Sequence, residues 1–296
     1  MAVMLPLPEN FVARPAKMGD AEAVVNVLNA CSIEQIGKPQ FRTDEMCTDW
    51  QRPGFSLEAD TLVVLIPQGK LVGYTAVWDF EPHVRTLVVA SVHPEHRGLG
   101  VGTALCLWAE ERGRRSIPQA PAGARVALWQ EKPGTDEVAL ALLRAQGYQF
   151  ARYSLHMLIE MDDPPAPVVP DGFTVRPFIR GQEERAMIHA MRESFRGHWG
   201  YVERPFEEDL QDYVHLLDNP DNDPTLWFVV VDDIEEEIVG TSFCYPAMAE
   251  DPELGWIWGL GVRRPWRRRG LALALLKHCF GALYRYGKRK VGLDMD

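Results

Sequence analysis

The chain has 296 residues, 46% of them hydrophobic and 25% charged, with a formal charge of −11. This composition suits a globular protein of two domains, and the acidic balance argues against broad nucleic-acid binding, which favours a basic face. There is no run of membrane-spanning length, no signal-peptide pattern at Met1-Ala2-Val3-Met4-Leu5-Pro6, and no Cys-x-x-Cys pair among Cys31, Cys47, Cys106, Cys244 and Cys279, so the expectation is a cytoplasmic protein without a metal site or disulfides.

A first strand is expected at residues 11–15. A helix follows, opened by Asp20 as N-cap, with Ala23, Val24, Val27 and Leu28 on one apolar face. A second helical segment falls near residues 43–50. Residues 61–67 and 70–80 read as strands joined at Gln68-Gly69, and residues 86–92 as a third that runs into a glycine-rich turn. A helix from the turn to about Arg115, a strand at 125–130, a helix at 136–146 and one or two closing strands at 148–160 complete the first half. Prolines at 164, 165, 167 and 170 then mark a linker, residues 164–171, because proline cannot donate to a sheet and disfavours helix in the residue before it. The linker separates a domain of residues 1–163 from one of residues 172–296. The second half repeats the order: strand 173–177, helices 182–195 and 205–214, strands 226–231, 237–246 and 256–262, a turn, helix 271–286 and strand 290–294. The first half runs 63 residues past Gly100 to Asp163, the second only 26 past Gly270 to Asp296. A sheet ending there would leave strand 290–294 as a bare edge. The expectation is therefore a natural tail past Asp296 or a partner surface over the gap.

The correspondence between the halves extends to residue identities. Phe11-Val12-Ala13-Arg14-Pro15 returns as Phe173-Thr174-Val175-Arg176-Pro177, 162 positions later. Leu71-Val72-Gly73-Tyr74-Thr75 returns as Ile238-Val239-Gly240-Thr241-Ser242, 167 positions later. The turn Arg97-Gly98-Leu99-Gly100-Val101-Gly102 returns as Arg267-Arg268-Arg269-Gly270-Leu271-Ala272, 170 positions later. Offsets that drift in one direction describe a duplicated domain with small insertions. Small residues let backbone N–H groups approach a ligand, and a helix start adds about half a positive charge. Each turn therefore reads as an anion-binding unit. A dinucleotide fingerprint would need glycine where Thr103 stands, and a nucleoside-triphosphate loop would need Gly-Lys-Ser/Thr; neither is present.

An Arg-x-x-Gly-x-Gly/Ala pattern between a strand and a helix resembles motif A of the Gcn5-related N-acetyltransferases, whose loop cradles the pyrophosphate of acetyl-CoA. Two copies in one setting cover nearly the whole chain, similar to the two-domain mycothiol synthase type. The resemblance implies an α/β (α+β) fold of two tandem domains, each a mixed, mostly antiparallel sheet flanked by helices. It implies acetyl-CoA as co-substrate and no metal. The turns would hold its phosphates, through Arg97, Gly98, Leu99, Gly100, Val101 and Gly102 and through Arg267, Arg268, Arg269, Gly270, Leu271 and Ala272. The pantetheine arm would pair with the strand before each turn, at Ala90, Ser91 and Val92 and at Leu260, Gly261 and Val262. Five arginines within residues 263–269 then meet CoA phosphates rather than nucleic acid.

Acetyl transfer to an amine needs a deprotonated nitrogen, a polarised thioester carbonyl and an acid for the leaving thiolate. The family's acid is a tyrosine on the last helix; here Leu143 stands at that place in the first half, and leucine has no proton to give. Glu250, Asp251 and Glu253 precede the second pre-turn strand. Glu253 is the nearest candidate base, with a solvated turn residue as its other reading and an ordered water as a substitute. The glutamate expected in that strand by resemblance to the two-domain type is Trp256. The second half's loop before residue 206 carries His198, Trp199 and Tyr201, which with Trp258 are candidates for the acceptor site; Trp199, Tyr201 and Phe206 read equally well as interdomain core. These residues tilt turnover toward the second domain. The function expected is acetyl transfer to the primary amine of a small molecule or peptide; the alternative is a CoA-binding regulatory or scaffold protein without turnover.

Overall fold

The computed structural model describes residues 6–198, 201–218, 222–248 and 251–295. The chain divides into two units, Met1–Ala151 and Arg152–Asp296. Among the described residues no helix is long and apolar enough to cross a membrane.

The first unit runs β1 (Val12–Arg14), α1 (Ala21–Ile36), α2 (Thr43–Asp49), α3 (Leu57–Asp60), β2 (Thr61–Leu65), β3 (Leu71–Asp79), β4 (Arg85–Val92), α4 (Val101–Arg114), β5 (Ala127–Trp129) and α5 (Glu137–Ala145). Its sheet has the order β1-β2-β3-β4-β5, antiparallel except for the parallel pair β4 and β5. The alternation of β2 sets the two faces. Val63 packs with Val24, Val27 and Leu28 of α1, while Leu62 and Val64 pack with Val101 and Leu105 of α4. Covered on both faces, β3 is buried over nearly its whole length, which is why it reads as a continuous apolar run.

The second unit runs β6 (Leu155–Glu160), β7 (Phe173–Pro177), α6 (Glu184–Phe195), α7 (Phe206–Asp218), β8 (Trp227–Asp232), β9 (Glu237–Tyr245), β10 (Leu254–Val262), α8 (Leu271–Arg285) and β11 (Lys290–Met295). On α8, Leu271, Leu275, Cys279 and Leu283 are all buried, a four-residue spacing that puts them on one helical face. They meet Val230, Val239, Ile257 and Val291, and each buried leucine contributes about 2 kcal/mol. The opposite face carries α6 and α7, whose Met187, Ile188 and Leu217 pack with Trp227, Val229 and Phe243. The repeated Phe-x-x-Arg-Pro segment makes the same clamp twice. Arg14 grips Asp20 through two bonds (2.6 and 2.8 Å), and Arg176 grips Glu183 likewise (2.8 and 2.6 Å).

One expectation is corrected by the second sheet, whose order is β6-β11-β10-β9-β8-β7. Residues 155–160 do not close the first sheet. They form an antiparallel ladder along β11, from Lys290 opposite Glu160 to Met295 opposite Leu155. Strand 290–295 is therefore not a bare edge. Its unpaired side offers a row of backbone donors and acceptors, and β6 satisfies them while Ile159 and the buried Met161 extend the α8 core. Tyr284 then donates to the Asp162 carbonyl (2.6 Å). The proline-rich residues 164–171 consequently fall inside the second unit.

Candidate functional site

Both turns follow the same backbone path. Gly98 (φ 78°) and Gly100 (φ 81°) in the first correspond to Arg268 (φ 64°) and Gly270 (φ 88°) in the second. The first N–H group of each helix to find an intrahelical partner is that of Ala104, bonded to Gly100, or Ala274, bonded to Gly270, both at 3.0 Å. The N–H groups at 101–103 and 271–273 therefore lack an intrahelical acceptor, the arrangement that receives phosphate. The last motif position differs for a packing reason. A Cβ on Gly102 would stand 2.8 Å from Leu142 of α5; at the matching place Ala272 is exposed.

Above each turn two parallel strands part. β4 pairs with β5 only from Arg85 to Leu87, and β10 with β11 only from Leu254 to Trp256. The N–H of His93 bonds to Val72 (2.8 Å) and that of Arg263 to Val239 (2.9 Å). By strict alternation, the polar groups of Ala90 and Val92, and of Val262, face the open side. β10 also bulges between Trp258 and Gly261, with Gly259 at φ 65° and no room for a side chain against Phe243. β4 shows no register shift along its pairing with β3.

In the first unit the opening is a cavity of about 470 Å³, lined by Ala90, Ser91, Val92, Arg97, Gly98, Gly100 and Gly102. The other two turn residues stand apart from it: Val101 is buried in the core and Leu99 is exposed. Leu143 lines the same cavity. Three further lining residues carry no sequence signal: Cys31, Gln130 and Lys132. The Cys31 thiol donates to the Val92 carbonyl (3.3 Å), and the Lys132 ammonium donates to the Ala90 carbonyl (2.5 Å). Gln130 donates to the Tyr148 hydroxyl (3.1 Å), whose pKa burial pushes up to about 12.

The motif arginines tie each turn to the first helix of its unit. Arg97 pairs with Glu34 of α1 (2.6 Å). Arg267 donates to the carbonyls of Val262 (2.9 Å) and of Ser194 in α6 (2.7 Å). Arg263 is held by Glu193 and Glu237, whereas Arg264, Arg268 and Arg269 are exposed. His93, Glu95 and His96 come together before the first turn, their possible ligand atoms within 4.8 Å of one another.

Of the acceptor candidates, Trp258 is 40% exposed beside Tyr213 and Phe243, with ring centroids 6.2 and 5.7 Å away. Burial raises the Tyr213 phenol above its usual range. His198 is exposed and stacks edge-on to Phe195 (5.6 Å); Tyr201 donates from its backbone to the His198 carbonyl (3.1 Å). Trp199 and Glu250 lie outside the described residues. Glu253 is a solvent-exposed residue before β10, its N–H capped by Asp251 (3.1 Å). A strand rises about 3.3 Å per residue, which puts it roughly 20 Å from Leu260. Trp256 is buried, its ring against His156 of β6 (4.7 Å), which pairs with Asp294 (2.8 Å).

The turns and strand openings suit acetyl-CoA: unpaired N–H groups for its phosphates and open strand edges for its amide arm. The acetyltransferase (GNAT) family model matches residues 22–148 and 186–296. The crystal structure of a GCN5-related N-acetyltransferase from Sphaerobacter thermophilus superposes with a TM-score of 0.84 at 35% identity, over 98% of this chain and 88% of that one. A tandem GNAT protein from the clavulanic acid biosynthesis pathway gives 0.64 at 18% identity, over 96% and 90%, a likeness of fold alone. The mycothiol acetyltransferase of Streptomyces scabiei is 31% identical over 209 residues, 69% of this chain. That match spans 61% of the relative's own length.

Proposed function

The chain belongs to the acetyltransferase (GNAT) family, and from that premise we propose that it is an acetyl-CoA-dependent N-acetyltransferase acting on a primary amine, with turnover in its second unit. The observation that carries this reading is the duplicated turn, left-handed at the same two positions and opening a helix beneath parting strands. In the second unit Gly270, Leu271 and Ala272 supply backbone N–H groups to the pyrophosphate, with Arg268 and Arg269 adding charge. The thioester lies along residues 260–262, where the bulge leaves Leu260 without a register partner in β9, and the Leu260 N–H polarises the carbonyl. The acceptor approaches past Trp258 and the loop of His198 and Tyr201. The name of the Streptomyces relative points to a small-molecule acceptor; Trp256 in place of a pre-turn glutamate leaves its particular substrate outside this proposal.

For the first unit taken alone, Leu143 in the cavity favours CoA binding without turnover on an external acceptor. The test is a panel of primary amines monitored by release of CoA thiol. Gly270→Asp sets a carboxylate against the pyrophosphate and should lower turnover on the order of 100-fold, while Gly100→Asp leaves most of it. The reverse pattern would move the chemistry to the first unit, and no release with any amine would favour the binding-protein reading.

A further inference from the structure

The first unit's cleft holds an amine of its own. Lys132 follows β5 and crosses the gap where β5 leaves β4, so that its Nζ reaches the Ala90 carbonyl (2.5 Å) inside the cavity. Ala90 is the counterpart of Leu260, and the N–H and C=O of one strand residue point to the same side. A thioester polarised by the Ala90 N–H would therefore present its carbonyl carbon beside Lys132. The ammonium is poorly placed to stay charged. Burial lowers its pKa, opposed by the charges of Asp136, Cys106 and Cys31, which enlarges the neutral, nucleophilic fraction at a given pH.

We propose that Lys132 is an acetylation site served by the cleft it occupies, with an acetyl-CoA thioester as donor. This rests on the reading that the turn at 97–102 binds CoA. The ammonium first releases one proton to solvent. The Nζ lone pair then forms a C–N bond to the thioester carbonyl, the C–S bond breaks, and sulfur leaves with its electron pair. The remaining extra proton on nitrogen passes to the thiolate, giving free CoA thiol and a neutral amide side chain. The product removes a partly buried charge and fills the channel that the pantetheine arm needs, so the event happens once per chain.

The full-length protein, carrying Gly270→Asp to silence the second turn, is incubated with acetyl-CoA labelled in its acetyl group and read by intact and peptide mass spectrometry. Titration calorimetry with free CoA reports binding separately. One label per chain at Lys132 is expected, absent in Lys132→Arg and slowed on the order of tenfold or more by Gly100→Asp, with exposed Lys290 labelled equally slowly in all. CoA binding without label at Lys132 overturns this proposal and leaves the CoA reading intact. Absence of CoA binding to the first turn overturns both. Label at Lys132 that is unaffected by Gly100→Asp marks uncatalysed chemistry in solution and overturns the proposal as well.

Discussion

At position 268 the backbone turns left-handed at φ 64°, a conformation that Gly98 adopts in the first turn at φ 78°. For an arginine this costs on the order of 1 kcal/mol, and residues held in such strain concentrate where a ligand binds. Arg268→Gly should therefore stabilise the second unit by about 1 kcal/mol in denaturant unfolding and weaken acetyl-CoA binding in calorimetry. A gain in stability with unchanged binding would show that the side chain does not reach the phosphates. A second residue-scale expectation concerns Glu183, whose carboxyl the Arg176 guanidinium holds below its usual range. A depressed carboxylate stabilises the fold above its unfolded pKa and loses that contribution as pH falls through the folded one. Arg176→Met should cost about 1 kcal/mol at neutral pH, and the gap to the native chain should shrink by about pH 3. Equal gaps at both pH values would show that the arginine acts through packing alone.

The ladder between β6 and β11 belongs to the scale of elements. Proline at a strand interior removes a ladder donor and costs about 3 kcal/mol. The Met161 N–H bonds to the Arg289 carbonyl across this ladder (2.8 Å), so by alternation the N–H of Met157 also faces β11. Met157→Pro should thus lower the melting of the second unit while leaving that of the first, and hydrogen exchange at 290–295 should rise; an unchanged exchange rate would mean the ladder is dispensable. The strands and helices themselves were legible because apolar residues recur at their periods and glycines punctuate them. The partner of residues 155–160 was not, since a short alternating run specifies a strand but says nothing of a neighbour 130 positions further on. Lys132 was illegible for a related reason. A single lysine after a strand reads as solvated, and only the parting of β4 from β5 turns it inward. The Gly102 and Ala272 difference was visible as letters, but its cause, Leu142 against the glycine, is a tertiary contact.

For the whole molecule, the division at Ala151 rather than at the prolines sets which fragment can stand alone. A fragment of residues 152–296 should melt cooperatively, whereas one of residues 164–296, cut at the prolines, leaves the β11 edge open and loses Ile159 and Met161 from the core. Equal melting of the two fragments would show that β6 contributes nothing. The same strand also imposes a schedule. During synthesis β6 emerges first, and β11 follows only after the intervening 129 residues have been made. At about 5–20 residues per second this is a delay on the order of ten seconds. Throughout it, Leu155, Met157 and Ile159 travel on a strand with no ladder to join, beside a first unit whose elements are already complete. The ribosome thus releases a finished first unit trailing an adhesive strip, and the period of greatest hazard for aggregation falls between the two halves, not at either end of the chain.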